Sequence, residues 1–471
     1  MQENVQGLNR ALGLRYVVVV VVANIIGSGV YKKVAPMATE LGSPGWILIA
    51  WILGGIITLF GALSNAEVAG LLADTGGDYA YYKKIYNRFF SFMYGWSLFT
   101  VIQTAAISSL AWVFSQSLNS LVSFPELFKS LSDYSLGGVF YPFRDFSVKL
   151  AAIVLIVLLT LINTRGIKTV AGFSNFILVL VLAGIFIIVA FGLFSNNSNL
   201  PQAFKLTTVE SSSTLTVSSV FTAMLAAFWG YQGWASVGFI GGEVKDANKN
   251  IPRGIVIGVL MVIVIYLAVN VTYLSLLSVV EIKNVDAAGN KIAAIEAVRV
   301  FWGNAGAMFI SVLILTTTLS CAHATILASA RPYYAMAKEG LFFKPVAKLN
   351  KSQVPQNSLI FQGFWACVLV LSGTFDQLTD MIIFAVFIFY GATALGVFIL
   401  RRKMPDAVRP YKVWGYPVVP AIVVIFCIGL LFNTFITRPR EASIGLVLML
   451  SGIPAFLWFV KRNKLNVKSN Q

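Results

Sequence analysis

Two short stretches of this 471-residue chain set glycines beside hydrogen-bonding groups in a pattern that could hold a small charged solute. The first reads Asn24-Ile25-Ile26-Gly27-Ser28-Gly29-Val30, with two glycines flanking a serine. The second reads Phe228-Trp229-Gly230-Tyr231-Gln232-Gly233-Trp234 and continues to Gly238, Gly241 and Gly242. Glycine lets a helix unwind, and unwinding frees amides and carbonyls that an intact helix consumes. Freed amides can hold a carboxylate. Glycine in an apolar helix also serves close packing. Polar groups beside both stretches, and their matching places in the chain, favour breaks.

A third candidate is His323, the sole histidine, within Ser320-Cys321-Ala322-His323-Ala324-Thr325. An ionisable group inside an apolar run reads either as a proton switch or as a neutral packing histidine. Ser28 and His323 could also be nucleophile and base of an intramembrane serine protease. That chemistry needs an oxyanion hole and a Gly-x-Ser-Gly pattern, and Ile26 stands where the first glycine belongs. The protease is a remote alternative.

The elements that carry these residues are apolar. Hydrophobic residues make up 58% of the chain, charged residues 11%, and the mean hydropathy is +0.80. Such a balance excludes a water-soluble fold, disorder and a secreted disulfide scaffold. It predicts an all-α polytopic membrane protein. With about 20 apolar residues per crossing, twelve transmembrane helices are expected near 12–37, 46–69, 92–118, 148–163, 173–194, 216–241, 254–278, 302–330, 357–373, 380–400, 417–436 and 443–460. Short alternating strands are missing, so a barrel is not expected. The run from Leu12 has no cleavage site after it and reads as a retained helix.

The net charge is +16, yet there is no dense basic tract, and no nucleic-acid partner is expected. Twenty-four of the 35 lysines and arginines fall in loops of one side, which puts both termini in the cytoplasm of a cell membrane. Cys321, Cys367 and Cys427 lie inside apolar runs without metal-ligand spacing. No metal or cofactor is expected. The first and sixth spans carry the two breaks, at equivalent places in two halves of five spans. Paired interruptions of this kind are the sequence signature of a transporter built from inverted repeats, with its binding site near the bilayer midplane.

Together with Gly61-Ala62-Leu63 to Glu67, Gly76-Gly77-Asp78-Tyr79-Ala80-Tyr81, Glu243-Val244-Lys245-Asp246, Asn250-Ile251-Pro252-Arg253, Ala337-Lys338-Glu339-Gly340 and Arg409 to Pro417, these motifs run in a familiar order. The chain resembles the amino acid–polyamine–organocation superfamily, specifically bacterial relatives of the L-type amino acid exchangers, over nearly its whole length. The resemblance implies one transporter domain over 1–471 with the leucine-transporter-type 5+5 inverted repeat. Its repeats would be about 12–194 and 216–400, with two peripheral helices at about 417–460 and helices 1 and 6 unwound at mid-membrane. It also implies that the substrate carboxylate meets Gly27, Ser28 and Gly29, and that the ammonium meets carbonyls around Trp229, Gly230 and Gly233. Ile25 and Gln232 would line the pocket, and Trp229 would gate it.

The residues say less about the substrate. Neither break has a buried acid beside it in the sequence, which disfavours a polyamine. Lys32 and Lys33 either snorkel to the headgroups or make the path unfavourable to cations. Asn175 to Ala183 lacks the lysine that many L-type relatives place where sodium-coupled cousins bind sodium. A protonated His323 is the candidate replacement. Glu67, Asp78, Glu243, Lys245 and Arg253 read as solvated charges at helix ends, or else as an inner gate of ion pairs. The expected function is exchange or uptake of neutral L-amino acids by alternating access, without enzyme activity. The alternatives are a proton- or sodium-coupled symporter and a cationic amino acid or polyamine exchanger; a channel would show filter loops. Asn119 to Val148 holds no cysteine, so no disulfide-linked heavy chain is expected, and the oligomeric state is open. The partners are then the amino acid and the lipid bilayer.

Overall fold

Apolar runs of this length must satisfy their own backbone, and helices do so. The structure, a computed structural model, describes residues 12–72, 77–135, 140–165, 170–207, 215–235, 237, 244–289, 291–352 and 354–468, without the side chains of 170–176 and 463–468. Gly76, Gly238, Gly241, Gly242 and Glu243, singled out above, lie outside the described residues.

The chain opens with α1 (Leu14–Ile25), α2 (Gly29–Lys32) and α3 (Val34–Leu41), which together occupy the first apolar stretch. Next come α4 (Pro44–Leu72), the short α5 (Asp78–Ile85) and α6 (Arg88–Leu121). A π-helical turn at Leu98–Ile102 interrupts α6; such turns re-aim the side chains that follow. Then come α7 (Phe146–Thr164), α8 (Val170–Leu193), α9 (Val217–Tyr231), α10 (Ala247–Leu276) and α11 (Val279–Ala288). Last are α12 (Ala293–Lys338), α13 (Gln356–Ser372), α14 (Phe375–Lys403), α15 (Val418–Thr437) and α16 (Pro439–Arg462). Eight of these helices are long and apolar enough to cross a membrane, and four shorter apolar helices accompany them. Capping boxes at Thr216, Ser278 and Thr374 start α9, α11 and α14. Gly303 (φ +59°) kinks α12, so its first turns are not part of one straight rod.

The outer surface is apolar, with Phe186, Phe364, Ile425 and Phe432 about 70% exposed, as a lipid-facing surface requires. The polar side chains turn inward instead: Asn270, Gln362, Thr318 and Thr379 are fully buried. α10 packs along both α1 and α4. Gly258 makes the close approach to α1 possible, because a Cβ there would sit 2.5 Å from Val21. That contact fixes α1 immediately before its end.

Candidate functional site

The first break begins where α1 stops. Ile26 is extended (φ −72°, ψ 94°), and the helix resumes at Gly29 after Ser28. Among the described residues, the amides of Ser28 and Gly29 donate to no backbone carbonyl. The second break follows α9, where Gln232 is extended and Gly233 has φ +123°, a conformation that favours glycine. The two breaks touch. A Cβ on Gly29 would lie 2.5 Å from Gly230 Cα, and one on Gly233 would collide with the carbonyl oxygen of Asn24.

Tyr266 of α10 ties the breaks together. Its hydroxyl lies 3.0 Å from the carbonyl oxygens of both Ile25 and Gly230 and shares its single proton between them. The Tyr266 ring is held edge-on to Trp51 at 5.5 Å, and Trp51 is held the same way by Tyr231. Sequence reasoning missed Tyr266 and Trp51, because an aromatic in an apolar run carries no signal of its own.

Between the breaks lies a cavity of about 90 Å³ lined by Ser28, Gln103, Trp229, Gln232, Cys321 and Thr325, among others. At roughly 10–15 Å³ of such volume per water, it has room for a small polar solute. Of the residues expected at the site, Ile25, Gly27, Ser28, Gly29, Trp229, Gln232 and Gly233 line it. Gly230 contributes backbone contact behind it. The Gly230 carbonyl is held by Tyr266, and that of Trp229 accepts from the Gln232 amide at 3.3 Å.

On the α2 side the cavity is closed in layers. Trp229 Nε1 donates to Ser28 Oγ at 3.2 Å, so Trp229 lies over the first break. Phe375 stands edge-on to Trp229 at 6.1 Å. The ammonium groups of Lys32 and Lys33 lie 4.8 and 4.7 Å from the Phe375 ring centre. Lys33 donates to Asp376 Oδ1 and Thr379 Oγ1, both at 2.6 Å, and Lys32 donates to Gln116 Oε1 at 2.7 Å. This corrects the snorkelling expectation: Lys32 is 6% and Lys33 1% exposed. Beyond Lys33 opens a cavity of about 290 Å³ where Glu40, Asp286, Asp376, Asp380 and Glu441 outnumber Lys33 and Arg438. Burial pushes the Asp286 carboxyl above its ordinary value, and the hydroxyl of Thr39, which donates to it at 2.6 Å, opposes that.

His323 does not line this cavity. Its Nδ1 faces Asn163 Nδ2 of α7 at 3.2 Å, and the same amide donates to Leu159 O. Cys321, two residues earlier on α12, faces the first break. Its thiol lies 3.4 Å from Ile26 O and 3.8 Å from Ala23 O. The structure therefore places a neutral thiol, rather than the imidazole, against the end of α1, and Ser28 and His323 are not paired.

The charged residues read as solvated helix-end charges divide. Lys245 and Arg253 are exposed. Glu67 is 2% exposed and is clamped by Arg401 at 2.9 and 2.7 Å, with the Val413 amide donating at 2.7 Å. A carboxylate so far from water is retained only because these donors surround it. Asp78 is also buried, at 6% exposed, and it faces the interior.

A family profile described as amino acid permease matches residues 12–460 of this chain. The serine/threonine exchanger SteT of Bacillus subtilis is 29% identical over 97% of this chain and 98% of its own length. The mouse b(0,+)-type amino acid transporter 1 is 25% identical over 96% of this chain and 88% of its own. The mouse large neutral amino acids transporter small subunit 2 is 28% identical, covering 95% of this chain and 81% of its own.

Proposed function

This chain belongs to the amino acid permease family, and from that premise we propose that it exchanges small neutral amino acids across a cell membrane by alternating access. It is a multi-pass membrane transporter rather than an enzyme. The observation that carries the proposal is the meeting of the two breaks around one small cavity. The substrate carboxylate meets the amides of Ser28 and Gly29, and the ammonium meets carbonyls beside Gln232 and Gly233. Trp229 gates the site toward the outside.

The small size of the cavity and its lining by Ser28, Gln103 and Thr325 favour a small polar substrate. The Bacillus relative is a serine/threonine exchanger, which agrees with that class. The architecture is the leucine-transporter type, with twelve helices in two five-helix repeats and two peripheral helices, in one domain over 1–471. Both termini are cytoplasmic, so the Lys33 layer faces outward and Glu67 inward. No disulfide-linked heavy chain takes part.

The test is uptake of labelled serine by purified protein in liposomes. Uptake should accelerate when unlabelled serine is loaded inside, with or without a sodium gradient. Uptake of polyamines without amino acids would overturn the reading.

A further inference from the structure

Asp78 begins α5, which lies between the spans α4 and α6. Its carboxylate is buried, and its hydrogen-bond partners among the described residues are neutral. Asn65 Nδ2 donates to Oδ1 at 3.1 Å, and the Tyr94 hydroxyl donates to Oδ2 at 3.4 Å. Among the described residues no ion pair reaches it, unlike Glu67, Asp376 and Glu339. A buried carboxylate without a counter-ion is unfavourable, and the ordinary remedy is a proton.

The position matters more than the burial. Asp78 lines a second cavity, of about 30 Å³, with Tyr94, Gln103, Gln232, Gly233 and Tyr390. Gln103, Gln232 and Gly233 also line the central cavity, so the two spaces share a wall made by the second break. Tyr390 donates to Gln232 Oε1 at 3.0 Å and so links that wall to α14. The second cavity admits about two or three waters but no amino acid.

We propose that Asp78 is a proton-binding site coupled to transport, filled while the cytoplasmic end of the path is closed and emptied when it opens. The proposal rests on the transport reading above. Closure strips water from the carboxyl, which then holds a proton; opening at Gln232 and Gly233 admits water, and the proton leaves for the cytoplasm as hydronium. No covalent bond other than that O–H is made or broken. The titratable groups that face Asp78 are Tyr82 from α5 itself, Tyr94 from α6 and Tyr390 from α14. All are phenols, neutral at physiological pH. Asn65 from α4 is uncharged, so among the described residues nothing else facing Asp78 titrates in the neutral range.

Burial pushes the Asp78 carboxyl up from 3.8 to about 6, with the Asn65 and Tyr94 hydrogen bonds opposing. The sign follows from that direction. A carboxyl raised in the closed state stabilises closure fully below its ordinary value, and the effect is lost as pH rises through about 6. At pH 5 protonation should favour closure about tenfold over pH 8.

The experiment is serine exchange in liposomes at equal pH on both sides, from pH 5 to 8, with an infrared titration of the same protein. Wild type should slow about tenfold toward pH 5, with its inflection near 6. Asp78→Asn should exchange without that inflection, and Asp78→Glu should restore it at a shifted pH. A protonated-carboxyl band should disappear through the same pH range in wild type and be missing in Asp78→Asn. An Asp78→Asn profile superimposable on wild type overturns the proposal. Where Asp78→Asn does not exchange at all, the infrared band decides: one identical in both proteins overturns the proposal. Absence of exchange by wild type at every pH would sink the transport reading instead, while the band still reports on Asp78.

Discussion

Replacing Tyr266 by phenylalanine deletes one oxygen and leaves the ring against Trp51. That oxygen lies 3.0 Å from two buried carbonyls, those of Ile25 and Gly230, one from each break. An orphaned buried acceptor costs about 1–3 kcal/mol. Two would reach about 6 kcal/mol at the extreme, but the neighbouring cavity can supply water to one of them. A loss of about 2–3 kcal/mol is the reasoned value. It falls on the geometry in which the breaks meet, so the binding-competent population shrinks and apparent affinity falls roughly 30- to 150-fold. The assay is serine binding to purified protein, with thermal unfolding in parallel. Tyr333→Phe is the control, since its hydroxyl donates to Leu98 O at 3.1 Å and to no carbonyl of either break. It should lower stability but leave affinity within about twofold, the smaller effect of one remote hydrogen bond. Wild-type affinity in Tyr266→Phe would refute the claim that this bond fixes the breaks.

Gly29→Val should abolish exchange and weaken binding, because the new side chain meets Gly230 Cα at 2.5 Å and separates the breaks; equilibrium binding checks it. Trp229→Ala should slow exchange strongly while the protein still folds and binds, since the indole covers Ser28 rather than supporting a helix. Lys33→Met leaves Asp376 without its cation, and with that side chain 35% exposed the loss is about 1–2 kcal/mol rather than the full penalty of a buried pair. With Cys367 and Cys427 replaced by alanine, an external thiol reagent should then label Cys321 about tenfold faster, as the outer layers loosen. His323→Gln, which can keep a hydrogen bond to Asn163, should give an exchange-against-pH curve superimposable on wild type.

The breaks were legible because glycine has no side chain to disguise a local need. Gly27, Gly29 and Gly233 each carry that signal in one short segment, and the structure brings all three to one cavity. The partners of long side chains were not legible. Lys33 reads as a surface cation until Asp376, 343 residues later, is folded beside it. Glu67 likewise finds Arg401 across 334 residues. Cys321 and His323 show a subtler limit. Two residues apart on a helix they point about 200° apart at 3.6 residues per turn, and only the rotation of α12 decides which one meets α1. Asp78 reads in the sequence as a solvated helix-end charge, because its burial depends on Asn65 and Tyr94 from flanking spans.

The central claim is that an amino acid binds between the two breaks. An experimental structure with serine bound tests it most directly. The expected result is density in the central cavity, with the carboxylate within hydrogen-bond distance of the Ser28 and Gly29 amides and the ammonium toward Gln232 and Gly233. Serine held instead in the acid-lined cavity beyond Lys33, with the space between Gly27 and Trp229 unchanged, would contradict the account.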